Sequence, residues 1–215
     1  MSGTDSRHFH WGGVRVLFDS PGNQLPLDTG INMQQPEFLF LAGYGNSTGD
    51  HWQAKWFNAF PSSIWVEQNW ESPNRNEWVS ALDIALGKTS NPVVIISHSL
   101  GGLAFVEWAN QYPEQLQQKI RGAFLVAVPD ADADSFPAAI SGFSSTPAQK
   151  IAIPAIMVMS SDDPYCTLER SRYFAKAWGS ELINIGAKGH INTSAGLGDW
   201  PEGEQHLHQF LKSLS

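Results

Sequence analysis

Short apolar runs alternate with amphipathic segments along most of the chain. The runs that are apolar on both faces predict six strands, at Glu37–Ala42, Ile64–Gln68, Pro92–Ser97, Gly122–Val128, Ala155–Ser160 and Glu181–Ile185. Helical spacing predicts helices at Asp50–Phe60, Asn74–Gly87, Leu100–Gln111, Thr167–Trp178 and Glu202–Leu214. Buried strands separated by helices predict an α/β fold with a mostly parallel sheet of about six strands, flanked by helices on both faces.

Two segments depart from this alternation. Residues 1–36 are predicted to be an N-terminal arm of unknown structure whose one strand-like run is Gly13–Phe18, and 37–215 are predicted to be the folded domain. The segment Asp130–Lys150 follows the fourth predicted strand and is rich in Ala, Ser, Asp and Pro. It fits a short lid, the wall of a substrate pocket or a plain surface excursion.

Composition narrows the range of partners and locations. The chain has 215 residues, which suits one packed domain, and its net charge is -8. No basic run is present, which argues against nucleic acid or an anionic membrane surface as a partner. The single cysteine, Cys166, rules out a disulfide within the chain, and no apolar run reaches the ~20 residues of a membrane span. The N-terminus lacks an apolar signal-peptide core, so we expect a cytoplasmic protein. The sequence does not predict an oligomeric state.

The most informative segment joins the third predicted strand to the next helix. It contains Ser97-His98-Ser99-Leu100-Gly101-Gly102, in which a strand runs into a tight turn with a central serine. This strand–turn–helix context is typical of a nucleophile elbow, and the two glycines leave room where helix and strand cross. Ser99 is therefore the candidate nucleophile; the alternative is that it only caps the helix. Ser97 stands where the usual pattern has its first glycine.

A candidate base and a candidate acid follow the serine at two later strand ends. His190 lies on the loop after the last predicted strand, and Asp162 and Asp163 lie on the loop after the preceding one. Asp163 is preferred because Pro164 stiffens the loop beside it, while Asp130 is a weaker alternative. The order serine, acid, histidine is that of α/β-hydrolases, in which the histidine takes the serine proton.

The glycine-rich loop after the first strand has two interpretations. In the hydrolase interpretation, the backbone N–H groups of Tyr44 and Leu100 form the oxyanion hole. In the alternative, Gly43, Gly45 and Gly49 form a dinucleotide loop and Glu67 binds a ribose, as in an oxidoreductase. That alternative leaves the serine, aspartate and histidine without a role.

Four further residues could line a substrate pocket or bind a metal. His98, beside the nucleophile, and Trp200, in the loop after His190, are candidate pocket residues. His206 and His208 are two apart on a helix, so they face different ways and predict no metal site. We expect neither a metal nor another cofactor.

Four motifs in combination resemble one known family. The segments AGYGNSTGDHW, SHSLGG, SSDDPY and GHINTSAGLGDWPEG are similar to the serine hydrolase family that includes retinoblastoma-binding protein 9, and closest to its bacterial branch. The resemblance extends from Glu37 to the C-terminus and implies a compact α/β-hydrolase with Ser99, Asp163 and His190 as its triad. The L-x-C-x-E pattern linked to retinoblastoma protein binding is absent, so that partner is not expected.

The sequence therefore predicts a serine hydrolase that acts on a small ester, thioester or amide through an acyl-enzyme, with carboxylesterase-like chemistry. The alternative is a non-catalytic protein-binding module on the same fold.

Overall fold

The structure is a computed structural model, and it describes residues 37–143 and 145–214. Its strands are β1 Glu37–Leu41, β2 Ser63–Trp65, β3 Val93–His98, β4 Ile120–Val126, β5 Ala155–Met159 and β6 Glu181–Asn184. Its α-helices are α1 Trp52–Ala59, α2 Arg75–Gly87, α3 Leu100–Gln111, α4 Pro113–Lys119, α5 Leu168–Trp178 and α6 Pro201–Ser213, with a 3-10 turn at Thr193–Ala195. The predicted arm, 1–36, and its strand-like run Gly13–Phe18 lie outside the described residues, so the boundary at residue 36 stays a prediction.

The six strands form one sheet in the order β2-β1-β3-β4-β5-β6, and every neighbouring pair is parallel. This confirms the predicted α/β class and the six-stranded parallel sheet. The carboxyl ends of parallel strands share one edge, and in such sheets ligands bind at that edge. The loops that follow β1, β3, β5 and β6 therefore leave the sheet on the same side.

Alternate residues of the central strands point to opposite faces of the sheet, and each face is packed. On one face, Leu39, Ile95 and Leu125 belong to a core that includes the buried hydrophobic residues of α2, α3 and α5. On the other, Phe40 and Ile96 belong to a core that includes α1 and α6. Helices therefore cover both faces, which explains why the strands are apolar throughout.

The helix α4 was not predicted. The helix α3 ends at Gln111, two residues before Pro113, as a proline that cannot continue a helix leads one to expect. Pro113 also occupies the first position of α4, where its missing N–H removes no helical hydrogen bond. The proline therefore marks a boundary between two consecutive helices.

The segment after β4 is tied to the rest of the domain. The backbone N–H of Arg75 donates to the oxygen of Ser141 at 3.0 Å, and the N–H of Ser141 donates to the oxygen of Pro73 at 2.9 Å. Thr146 Oγ1 accepts from the N–H of Ala131 at 2.9 Å, and Phe143 is buried. The hydrogen bonds of Ser141 fix the segment against the start of α2, and the Thr146 bond ties the two ends of the segment to each other.

No helix among the described residues has the length and apolar character needed to cross a membrane.

Candidate active site

Ser99 occupies a tight turn between β3 and α3. Its φ of 53° and ψ of -127° lie in a region that non-glycine residues rarely adopt. The N–H of Ser99 donates to the oxygen of Val126 at 2.9 Å, which ties the turn to the end of β4. The side chain of Ser99 makes no helix-capping hydrogen bond, so the structure does not support the alternative that Ser99 only caps α3.

The two glycines after Ser99 lie where α3 crosses the neighbouring strands. A Cβ atom on Gly101 would contact the carbonyl oxygen of Leu41 and lie 2.6 Å from that of Ala42. A Cβ atom on Gly102 would lie 2.7 Å from Val128 Cγ2. Because backbone at the end of β1 cannot yield as a flexible side chain would, only glycine fits at position 101.

The structure brings together Ser99, His190 and Asp163. His190 Nε2 lies 2.7 Å from Ser99 Oγ. His190 Nδ1 lies 3.0 Å and 2.9 Å from the two carboxylate oxygens of Asp163. A carboxylate only accepts, so Nδ1 donates to Asp163 and Nε2 is left to accept the serine proton. The side chains of His190 and Asp163 are only 10% and 3% exposed, so water screens this pair weakly.

Asp162 is directed to the backbone of the loop that carries His190. Its carboxylate accepts from the N–H of Gly189 at 2.7 Å and from Ser160 Oγ at 2.7 Å. These two hydrogen bonds, from Ser160 first and Gly189 second, hold the pKa of Asp162 below its ordinary value. Ser160 Oγ in turn accepts from the N–H of Lys188 at 2.8 Å. Asp162 therefore shapes the loop and does not reach the ring of His190.

Asp130, the weaker candidate for the acid, is engaged elsewhere. Its Oδ1 accepts from Arg170 Nη2 at 3.0 Å, and the hydrogen bond to Asp130 is the main reason that the pKa of Arg170 is raised. The side chain of Asp130 is 5% exposed. This ion pair links the exit of β4 to α5, so Asp130 has a structural role.

His98, predicted as a pocket residue, lies beside His190, and a second buried histidine lies beside His98. The ring centroids of His98 and His190 are 5.1 Å apart, and those of His51 and His98 are 4.6 Å apart. Burial first, and the proximity of His190 second, lower the pKa of His51 to about 4 and the pKa of His98 well below its ordinary value. Both rings are therefore neutral near pH 7. Sequence reasoning missed His51, whose signal was its place just before α1, where its Nδ1 caps Gln53.

The two backbone groups predicted for the oxyanion hole flank Ser99. Leu100 is the first residue of α3, and the first four N–H groups of a helix have no partner within it. Gly43, which precedes Tyr44, approaches Ser99 so closely that an added Cβ would lie 2.8 Å from Ser99 Cβ. Tyr44 and Leu100 both line the pocket in front of Ser99.

That pocket is open to solvent and has a volume of about 280 Å³. The lining includes Ser99, His98 and His190. The segment after β4 contributes Phe136, Pro137 and Ile140, so of its three interpretations the pocket wall fits the structure. These residues were not predicted individually, because nothing in the sequence shows which side chains of that segment point inward.

The predicted role of Trp200 at the pocket rim is wrong. Trp200 is 1% exposed, and its ring stacks on that of Trp56 with centroids 5.5 Å apart. A Cβ atom on Gly203 would overlap the Trp200 ring, so that glycine makes room for it. Trp200 therefore belongs to the core between α1 and α6.

Neither a metal site nor a second nucleophile is found among the described residues. Within 37–143 and 145–214, no group of three or more His, Cys, Asp or Glu side chains is placed to hold a metal ion. Cys166 is buried, its Sγ lies 3.2 Å from Ser171 Oγ, and burial raises its pKa to about 11. A thiol with such a pKa is a poor nucleophile.

Comparison with known proteins identifies the family. A family model described as serine hydrolase matches residues 38–209. The chain belongs to the serine hydrolase family. This confirms the resemblance found in the sequence at the level of a serine hydrolase in the α/β-hydrolase superfamily. It also overturns the dinucleotide-binding alternative, which predicted an oxidoreductase. A search of curated proteins found no match.

Solved structures agree with this assignment. A protein from Pectobacterium atrosepticum described as a YdeN-like hydrolase is 32% identical to this serine hydrolase, with a TM-score of 0.75 over 84% of this chain and 93% of that one. The ydeN gene product of Bacillus subtilis is 17% identical, with a TM-score of 0.65 over 82% and 99% of the two chains. The ferulic-acid-bound protein Est1E from Butyrivibrio proteoclasticus is 14% identical, with a TM-score of 0.60 over 82% and 90%. The latter two show the shared fold.

Proposed function

We propose that this serine hydrolase is a carboxylesterase-like enzyme that cleaves a small ester, thioester or amide through an acyl-enzyme on Ser99. The observation that carries the proposal is the continuous hydrogen-bonded chain from Ser99 Oγ through His190 to Asp163, at 2.7 Å and 2.9 Å. A serine hydroxyl is a weak nucleophile unless a base within hydrogen-bond reach takes its proton.

In the proposed first step, Ser99 Oγ attacks the substrate carbonyl carbon while His190 Nε2 takes the hydroxyl proton. Asp163 holds the ring in the required tautomer and stabilises the imidazolium that forms. The N–H groups of Leu100 and Tyr44 stabilise the oxyanion, each by about 3 kcal/mol in comparable enzymes.

In the proposed second step, the tetrahedral intermediate collapses and His190 returns the proton to the leaving group. Water then attacks the acyl-enzyme, with His190 again as base, and releases the acid. No cofactor takes part in these steps. The partner is a small-molecule acyl substrate, and the cytoplasmic location expected from the sequence stays a prediction.

Pre-steady-state hydrolysis of 4-nitrophenyl acetate tests this proposal. An acyl-enzyme that forms faster than it decays releases a burst of nitrophenol close to the enzyme concentration, followed by slower turnover. We expect wild-type protein to show turnover and Ser99→Ala to show none. Wild-type protein that is folded by circular dichroism but inert toward this ester would contradict the proposal and favour the binding module.

A further inference from the structure

The lining of the pocket changes in polarity from one chain segment to another. The segment that follows β4 supplies only apolar groups, from Pro129, Phe136, Pro137 and Ile140. The loop that follows His190 supplies only polar groups, from Asn192, Thr193 and Ser194. The hydroxyls of Thr193 and Ser194 make no hydrogen bond to any described residue, and both residues are exposed. They are therefore free to bind a ligand.

The chemistry of ester cleavage assigns the two ends of a substrate to these segments. As Ser99 Oγ forms its bond to the acyl carbon, the bond from that carbon to the alcohol oxygen breaks, and the oxygen takes its proton from His190 Nε2. The leaving alcohol must then lie beside His190, near Asn192, Thr193 and Ser194. The acyl group stays on Ser99 and occupies the apolar part of the pocket.

Charge and size restrict the substrate further. The pocket lining contains no Asp, Glu, Lys or Arg side chain among the described residues. His51 and His98 line the pocket as neutral rings, because their pKa values are lowered. An ionised substrate group bound against this lining would find no side chain of opposite charge, so the lining favours an uncharged substrate. The volume of about 280 Å³ lies just below the range of ~300–1,000 Å³ that holds drug-sized ligands.

We propose that the substrate is an uncharged ester that joins a short apolar acyl group to a small alcohol with several hydroxyl groups. This inference rests on the proposed function, since it assumes that Ser99 is acylated. The hydroxyls of Thr193 and Ser194 recognise the alcohol, and Phe136 and Ile140 contact the acyl group. Water completes the reaction, so the products are a short carboxylic acid and a polyol.

A pair of esters with the same acyl group and the same number of alcohol carbons tests the alcohol side. Glyceryl 1-monobutyrate and n-propyl butyrate differ by two hydroxyls, and pH-stat titration gives kcat/KM for each. We expect wild-type enzyme to favour the glyceryl ester by about tenfold, the effect of one or two hydrogen bonds. Thr193→Val combined with Ser194→Ala should lower that ratio to about twofold or less. The turn itself is kept, because Asn192 Oδ1 and backbone groups hold it.

Ser90→Ala is the matched control, because Ser90 is an exposed serine in the connection between α2 and β3. It should keep the wild-type ratio. Any one of three results would overturn the inference. The first is equal kcat/KM values for the two esters in wild-type enzyme, and the second is an unchanged ratio in the double variant. The third is a higher kcat/KM for the cationic ester butyrylcholine than for glyceryl 1-monobutyrate. If any of these occurs while 4-nitrophenyl acetate is still hydrolysed, only the inference fails. If neither butyrate nor 4-nitrophenyl acetate is hydrolysed, the proposed function fails with it.

Discussion

His98 Nε2 lies 2.9 Å from the backbone oxygen of His190. Because a carbonyl only accepts, the His98 ring donates this hydrogen bond from Nε2. Trp52 Nε1 donates to the oxygen of the next residue, Ile191, at 2.9 Å. Two buried rings thus hold the backbone on which the proposed base is carried, and displacement of a reacting group by about 1 Å can cost a hundredfold in rate.

Replacement of His98 should therefore lower kcat through His190. We expect His98→Phe, which keeps a ring but loses the donor, to lower kcat for 4-nitrophenyl acetate by about tenfold or more. His98→Gln keeps an N–H donor and should recover part of the loss. Steady-state kinetics at matched folded fractions, checked by circular dichroism, measures both. Equal kcat values for His98→Phe and wild type would show that the hydrogen bond does not position the base.

Gly43 sets the distance between the loop that carries Tyr44 and the proposed nucleophile, Ser99. An added Cβ at Gly43 would lie 2.8 Å from Ser99 Cβ, so Gly43→Ala must push the loop away. We expect kcat to fall by about a hundredfold, as for the loss of one oxyanion donor. Gly87→Ala is the control, since a Cβ there meets nothing within 4 Å, and it should keep wild-type kcat. Similar kcat values for the two variants would exclude this loop from the oxyanion hole.

Replacement of Asp163 should affect mainly kcat, whereas replacement of Asp130 should affect mainly thermal stability. Asp163→Asn leaves His190 without its carboxylate and should lower kcat by about a thousandfold or more. Asp130→Asn removes the charge of a buried carboxylate from its partly exposed partner Arg170, and it should lower the melting temperature while kcat stays within about threefold. Thermal unfolding and steady-state kinetics on both variants give the comparison. A larger loss of kcat in Asp130→Asn than in Asp163→Asn would reverse the assignment of the acid.

The buried histidines predict a loss of stability in acid. An unfolded histidine titrates near 6.5, whereas the folded pKa of His51 is about 4. Between these values the unfolded chain binds a proton that the folded chain does not, so the free energy of unfolding falls as the pH drops from about 6.5 to 4. Above pH 6.5 the folded and unfolded chains both carry a neutral His51, so this residue causes no loss of stability there. The lowered pKa of His98 makes the free energy of unfolding fall in acid in the same way.

His51→Asn tests this dependence, because an asparagine oxygen can still cap α1. Between pH 7 and 4.5 we expect wild-type protein to lose about 2 kcal/mol more of its free energy of unfolding than the variant. Urea unfolding at the two pH values measures the difference. Parallel losses in the two proteins would mean that His51 is not the group that resists protonation.

The sequence predicts the alternation of strands and helices because strands that are buried on both faces of the sheet are apolar throughout. The bounds of α3, Leu100–Gln111, agree at both ends, since the Ser99 turn and Pro113 mark them. The helix α4 was missed because a proline that stops one helix also suits the first turn of another. Most other element ends agree or differ by one or two residues, as is usual where a single hydrogen bond sets the end of an element, but β2 ends at Trp65, three residues before the predicted end at Gln68.

The sequence could predict that the three proposed triad residues lie together, for a related reason. Ser99, Asp163 and His190 follow three strands of one parallel sheet, and such strand ends meet at one edge. The pocket wall was not readable, because the direction of a loop side chain depends on packing far along the chain. Trp200 is an example. Its backbone φ is 50° and its ring stacks on Trp56, so the side chain points into the core. No local sequence pattern predicts either feature.

The proposed function depends above all on an activated hydroxyl at Ser99. Labelling with a fluorophosphonate, followed by intact-mass and peptide analysis, tests it directly, because such probes react with a serine only when a base activates it. We expect a single adduct on the peptide that contains Ser99 in wild-type protein, and no labelling in folded Ser99→Ala or His190→Ala. Folded wild-type protein that stays unlabelled, or that is labelled at another residue, would contradict the role proposed for Ser99.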